Sequence, residues 1–445
     1  MPRTYQKKER IVRKLILGTF LNPLNDKKCE LYKDGAMVIK AKKVKGLDTF
    51  VIDALGPIKK VSAKYKDYDE VIDLRGKVIM PGFFDMHFHW VQDDVREMPK
   101  DNLLTWLDKY TFPAERKFEN KEYAQKKAEF FFDRLLKTGT VGGACYSSIH
   151  EHAVNYAFKY AKGDFVIGNV LMTINSPDFL TQTKSKAIKL ATKLSEKYKE
   201  KYALTPRFAI ATDPETMKET AKAAKKNKSF LQTHLSETPN EIEFVKSIYK
   251  DIKGFEQVKS YTEIYKKVGM LSSKTIMGHG IHLDPEELEM LAKSKTSVAH
   301  CPTSNAQIKE LGLGSGLFDF KRIEKAKIRW ALASDIGGGP YVSMFDVMRS
   351  FVDQNQRKKI KGATHIKALY RSTLAGAEIL RLSKTRGNLD KGKIANFIAV
   401  DMPKSFNSKD KAEDILKKVI ATHKNERNLY DDMVSEVFFH GERVD

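Results

Sequence analysis

Cysteine is nearly absent from this chain of 445 residues: Cys29, Cys145 and Cys301 are the full set. Three thiols cannot build a disulfide framework, and there is no Cys-x-x-Cys pair to serve as a metal or redox motif. A reducing, cytoplasmic compartment is expected. Long apolar runs are missing too. None approaches the ~20 residues that a membrane helix needs, so no membrane partner is expected. Acidic residues are in deficit, 57 against 79 Lys and Arg, for a formal charge of +22. Clustered bases of that number would mark a nucleic-acid surface. Here they are dispersed along helix-like stretches such as KKAEFFFDRLLK and KETAKAAKKNK, with acids among them. The reading is a Lys-rich solvated surface, with no nucleic-acid partner.

What remains is a globular composition, 41% hydrophobic, in a chain too long for one ordinary core. Residues 1–14 are basic and precede LILGTFL, a pairing that resembles a signal peptide. The apolar piece is short and runs into Asn22, Pro23 and Asn25, so it reads as a first β-strand. From residue 78 onward, short apolar or β-branched runs alternate with amphipathic, helix-length segments. The runs are Val78–Met86, Thr140–Tyr146, Asp164–Thr173, Pro206–Ala211, Ser229–Leu235, Lys274–His279, Ser297–Cys301 and Ile328–Asp335. Helical stretches between them include Lys121–Lys137, Ser185–Lys199, Pro214–Lys226, Pro239–Lys250 and Asp284–Lys293. Eight such units predict an α/β fold, a (β/α)₈ TIM barrel over 77–385. The flanks 1–76 and 386–445 hold strand-like runs (LILGTF, GAMVIKAKKV, TFVIDALG; Lys391–Asp401, Ser435–Val444) and are expected to pair as a small β-sandwich.

In a TIM barrel the catalytic groups stand at the C-terminal ends of the strands. The first run leads into Pro81-Gly-Phe-Phe-Asp85-Met-His87-Phe-His89. Residues i and i+2 of a strand face the same way, so His87 and His89 point together, as two ligands of one ion must. The fifth run brings His234, followed by Leu235, to its end, the sixth ends at His279 and the eighth at Asp335, where glycines open the loop. A single histidine is more often a satisfied core residue. Four strands that each deliver His or Asp at one barrel mouth predict a metal site. Imidazoles and a carboxylate suit Zn²⁺, with Fe²⁺ as the second choice. Glu237 lies three residues past His234, close enough to act on a metal-activated water. With no Lys in Pro206–Ala211 to be carboxylated as a bridge, one metal per chain is expected. Cys145 and Cys301 read as small buried residues.

Together, PGFFDMHFH, His234-x-x-Glu237, His279-Gly280 and Ser334-Asp335 resemble the amidohydrolase superfamily, in its mononuclear deaminase branch. Further stretches resemble the guanine-deaminase family within it: His87-Phe-His89-Trp-Val-Gln92, Leu104-x-Trp106-Leu107, Tyr110-Thr-Phe-Pro-Ala-Glu115, Leu204-Thr-Pro-Arg207-Phe208, His300-Cys-Pro-Thr-Ser-Asn305 and Asp335-Ile-Gly-Gly-Gly339. The likeness spans most of residues 70–400. It implies hydrolytic deamination of guanine to xanthine and ammonia, with zinc on His87, His89, His234 and Asp335. It implies Glu237, His279 and Asp335 as catalytic groups: Glu237 carrying a proton from water to ring N3, His279 bonding the activated water, Asp335 helping ammonia depart. Substrate contacts would come from His89, Gln92, Arg207, Phe208, His234, Glu237 and Asp335. Family members often form dimers; no interface is legible here.

Without that likeness Arg207 reads as a surface ion-pair residue, Phe208 as core and Gln92 as a solvated loop residue. Departures from the family pattern are Ser334 for a common Thr, an extended loop at Ala306–Leu313, Asn396 for Asp, and Asn425-Glu-Arg-Asn428. The loop keeps alternatives open: a deaminase acting on another purine, a pterin, a triazine or an adenosine-like compound. From a different class comes a silent barrel whose basic surface binds nucleic acid.

Overall fold

The computed structural model describes residues 11–44, 46–421 and 429–444. The basic residues 1–10 and the Asn425–Asn428 stretch lie outside these. Eight parallel strands run in chain order around a barrel: β5 (Phe83–His89), β6 (Thr140–Ser147), β7 (Asp164–Leu171), β8 (Ala203–Pro206), β9 (Phe230–Leu235), β10 (Thr275–His279), β11 (Ser297–His300) and β12 (Trp330–Leu332). Buried on both sides, they read as near-continuous apolar runs. The seam between the last and first strands is held just beyond β12, where Asp335 N donates to His87 O (2.8 Å) and His89 N to Ile336 O (2.5 Å).

Helices pack outside the barrel, and their starts are written in the sequence. Asn120 caps Lys121–Lys137, and Asp213 caps Pro214–Asn227. Thr238 and Asp284 open Pro239–Tyr249 and Pro285–Ser294 through reciprocal capping boxes, each with Pro at the first turn. On Lys121–Lys137 the buried set Ala124, Ala128, Phe131, Phe132, Leu135 and Leu136 forms one stripe against the barrel.

The chain ends meet in a second sheet of seven strands. From the N-terminal side come β1 (Arg13–Pro23), β2 (Cys29–Val44), β3 (Leu47–Pro57) and β4 (Glu70–Pro81). The C-terminal side adds β13 (Phe397–Asp401), β14 (Val434–Phe439) and β15 (Glu442–Arg443), in the order β15-β14-β13-β4-β1-β2-β3. The β3 edge returns to the other side of the sheet: Ile52 N donates to Lys393 O, Ala395 N to Phe50 O, and Phe50 N to His440 O. This encloses Ile16, Phe20, Met37, Ile39, Ile52 and Phe397 in a core of its own. LILGTF is thus the heart of a strand, as expected.

Two strand readings need correction. Val78–Met86 is not one strand: β4 ends at Pro81 in the sheet, and β5 begins at Phe83 in the barrel. Pro81 lacks an N–H to continue a ladder, and at Gly82 a Cβ would lie only 2.7 Å from a Val141 methyl. Likewise Pro206–Ala211 is not a strand. β8 precedes it as Ala203–Pro206, and the chain turns away over residues 207–212.

Candidate active site

Each strand end brings its side chain to the same place. His87 and His89 leave β5, His234 leaves β9, His279 ends β10, and Asp335 follows β12. Ser236 (φ 49°), His279 (φ 69°) and Asp335 (φ 52°) all adopt left-handed backbone, a costly conformation for non-glycine residues that concentrates at functional sites. Asp85 holds the far side of this arrangement, accepting from Ser334 N (2.9 Å) and from the Ser334 hydroxyl. Burial pushes its carboxyl up to about 6, against the opposing pull of those hydrogen bonds.

The separations suit side chains that share one metal ion. His87 Nε2 is 3.3 Å from Asp335 Oδ1, His89 Nε2 is 3.7 Å from the same oxygen, and His89 Nε2 is 3.1 Å from His234 Nε2. Ligands at ~2.05 Å around a tetrahedral ion stand about 3.3 Å apart, and the observed values bracket that edge. Four imidazole nitrogens here are buried with no hydrogen-bond partner among the described residues: His87 Nδ1 and Nε2, His89 Nδ1 and His279 Nε2. Such orphans are costly unless a cation or water satisfies them. Burial, and then the neighbouring imidazoles, pushes His89 and His234 well below the usual histidine range, leaving them neutral ligand-type groups. Burial pushes Asp335 up, but the His87 contact and the surrounding imidazoles outweigh it and hold the carboxylate low.

The hydrogen-bond surroundings divide the histidines. His234 Nδ1 donates to Arg207 O (2.6 Å), which leaves Nε2 as a lone pair aimed at the centre. His279 differs. The Asn305 amide nitrogen faces its Nδ1 at 3.1 Å, and an amide nitrogen only donates, so the proton of neutral His279 sits on Nε2. That N–H points toward Glu237 Oε2 (3.5 Å) and Asp335 Oδ2 (3.9 Å). By distance alone His87, His234, His279 and Asp335 also form a tight cluster, with ligand-type atoms within 4.8 Å of one another. The tautomer sets His279 apart from it as a donor.

Glu237 is buried beside this centre. Its Oε1 accepts from Ser315 Oγ (3.0 Å) and Asn305 Nδ2 (3.2 Å). Burial, and then the Asp335 charge, pushes it up to about 8. Its backbone N–H donates to Glu241 Oε2 (2.7 Å), the capping-box acid of the next helix. Beyond lies a cavity of about 400 Å³, part of it open to solvent, with an apolar wall of Leu103, Trp106, Leu107, Phe208 and Leu313. Gln92 and Arg207 complete it. Neither is a surface group: each is only 2% exposed. Gln92 sits inside because the chain after β5 coils into a short helical turn instead of running out to solvent.

All the residues expected at the site therefore gather there. Sequence reasoning gave no role to Glu115, Glu241, Asn305 or Ser315. Glu115 and Asn305 stood in stretches that carry the family likeness, Glu241 carried the Thr238-Pro-Asn-Glu241 capping box, and Ser315 carried no signal. The extended loop Ala306–Leu313 ends in Leu313 of the cavity wall, and Ser315 follows two residues later.

Residues 78–444 match the Amidohydrolase family, and the chain belongs to that family. Within it, the chain is 32% identical over 377 residues to the guanine deaminase of Escherichia coli (strain K12), covering 83% of this chain and 81% of that protein. The solved structure of the E. coli guanine deaminase superposes with a TM-score of 0.85 at 28% identity, covering 97% of this chain and 99% of the other. That of guanine deaminase from C. acetobutylicum, with guanine bound in its active site, gives 0.82 at 26% identity over 97% and 100%. No helix among the described residues is long and apolar enough to cross a membrane.

Proposed function

We propose that this chain hydrolyses guanine to xanthine and ammonia, with one Zn²⁺ per chain held by His87, His89, His234 and Asp335. Fe²⁺ suits the same donors and is the second choice. When bound, such an ion supplies Lewis acidity and brings the pKa of a water down to about 7. The protein's own groups do the rest. Glu237 takes the attacking water's proton and passes it to ring N3 as the C2–O bond forms. His279, with its proton on Nε2, donates to the incoming oxygen. Asp335, whose Oδ2 faces away from the His87 contact, helps move a proton to the C2 amino group as the C–N bond breaks and ammonia leaves. Phe208 and the apolar wall accept the flat faces of a purine.

The observation that carries the choice of guanine is the donor edge of Arg207. Only Nη1 is engaged by protein carboxylate oxygens, both of Glu115 at 2.8 Å. Nε and Nη2 make no hydrogen bond to any described residue, in a side chain that lines the cavity. Two parallel donors fit the O6 and N7 acceptors of guanine, whereas adenine offers a donor at C6. The three cysteines are free, in keeping with a reducing compartment such as the cytoplasm. A homodimer is proposed on the family's habit.

The test is ammonia and xanthine production from guanine by metal-replete protein, with a chelated control, beside 8-oxoguanine, adenine, cytosine and adenosine. Guanine should be turned over fastest, and chelation should abolish turnover. Glu237→Gln should keep its metal while kcat falls by about 10²–10⁴. Preference for another base, or full activity in that variant, contradicts the reading.

A further inference from the structure

The Arg207 edge does not orient itself, and Glu115 is the group that holds it. Glu115 stands in the short helix Phe112–Arg116, in the connection between β5 and the helix Lys121–Lys137. It is fully buried and 92 residues from Arg207 in the chain. Its carboxylate accepts from Arg207 Nη1 through both oxygens and from Gln92 Nε2 through Oε1, at 2.7 Å. An Arg–carboxylate pair usually closes as a two-nitrogen fork. Here a single nitrogen carries both contacts, so the rest of the guanidinium stays available to the cavity. The Phe112 ring, 5.2 Å from the guanidinium carbon, backs the group. Gln92 is fixed from both ends, since its Oε1 accepts from Gly337 N (3.3 Å) in the loop after Asp335.

We propose that Glu115 is a positioning residue for substrate selection: by anchoring Arg207 through Nη1 and turning the Gln92 amide, it presents the donors that distinguish a 6-oxopurine from other purines. It touches no reacting atom. The inference rests on the proposed guanine reading, because it takes the free guanidinium edge to face the purine's O6 and N7. A carboxylate can accept all three contacts. An amide oxygen in the place of Oε1 can still accept from both, but its N–H₂ would stand where Oε2 accepts from Arg207 Nη1, and two donors cannot bond each other; Glu115→Gln therefore loses the charge and one of the two contacts that fix the guanidinium.

The experiment measures dissociation constants of hypoxanthine and purine by calorimetry on the metal-loaded native enzyme, Glu115→Gln and Glu115→Asp. Both ligands lack the 2-amino group and stay intact; only hypoxanthine carries the 6-oxo acceptor. The native enzyme should prefer hypoxanthine by about tenfold or more. In Glu115→Gln that ratio should collapse toward one with metal content unchanged, and KM for guanine should rise more than kcat falls. Glu115→Asp keeps the buried charge should the amide variant not fold. It is one methylene short of spanning Arg207 and Gln92 together, and it should lose the same preference. A merely structural role would weaken both ligands alike and leave the ratio standing. A standing ratio in either variant, or no preference in the native enzyme, overturns the proposal. A native enzyme that prefers hypoxanthine yet releases no ammonia from guanine would instead overturn the proposed reaction.

Discussion

At the scale of single residues, the two oxygens of Glu237 have different duties. Oε1 is tied down by Ser315 and Asn305, while Oε2 faces His279. A shuttle that must give and take a proton at a fixed place gains from having its other oxygen anchored. Ser315→Ala removes one of two anchoring donors. A hydrogen bond of ordinary net worth corresponds to about a 2–10-fold effect, so kcat should fall by that much while KM and metal content hold. Ser315→Thr, which keeps the hydroxyl, should restore it. Steady-state kinetics with metal analysis checks this, and an unchanged kcat for Ser315→Ala would remove the anchor from the account. Ser315 shows where residue-level reading stops. The loop beginning at Ala306 stood out as extended, but nothing in its composition says which hydroxyl returns to a carboxylate 78 positions earlier. Glu115 poses the same difficulty: its meaning depends on a partner that only the folded barrel brings near.

At the scale of elements the sequence was more informative, because strand ends obey a rule. Alternating runs and helices placed seven of the eight barrel strands, and reading the ends of four of them led to the histidines and Asp335. The errors have physical causes. The apolar run from Val78 to Met86 conceals a hand-over between two sheets, since a strand buried in the second sheet and one buried in the barrel have the same composition. At β8, four residues are too few for a period to show, and Arg207 lies just past the strand's true end, where mouth residues belong. Gly278 on β10 was also silent. A Cβ there would lie 2.6 Å from His87 Cε1 and 2.9 Å from Nδ1. The His87 ring cannot retreat, with Tyr146 at 4.5 Å and His234 at 4.7 Å between ring centres. Gly278→Ala should therefore displace a proposed ligand, leaving less than about a tenth of the bound metal and activity, with overpacking costing about 1–3 kcal/mol of stability. Gly56→Ala, whose Cβ meets nothing closer than 3.8 Å, is the control expected to behave as the native enzyme. Equal metal content in the two variants would contradict this account of Gly278.

At the scale of the whole molecule, the groups that would share one ion are spread from His87 to Asp335, and they meet only when the barrel has closed at the seam between β12 and β5. An ion bound there has no comparable site in the unfolded chain, so its binding free energy adds to folding stability as RT ln(1 + [M]/Kd). Free metal at a thousandfold excess over Kd contributes about 4 kcal/mol. Unfolding entropy of about 2.1 cal/mol/K per residue, over 445 residues, converts each kcal/mol to about 1 °C. Chelation should thus lower the unfolding midpoint by about 4 °C, and Zn²⁺ should restore it. The measurement belongs at fixed ionic strength. A chain of formal charge +22 repels itself, and salt screens that repulsion whether or not an ion is bound. His234→Ala separates the two effects, since it removes a proposed ligand and leaves the surface charge untouched: salt should still move its midpoint, and chelator should not. Were chelation to leave the native midpoint where it stands, the buried imidazoles would need another explanation, and the proposed metal centre at the barrel mouth would fall.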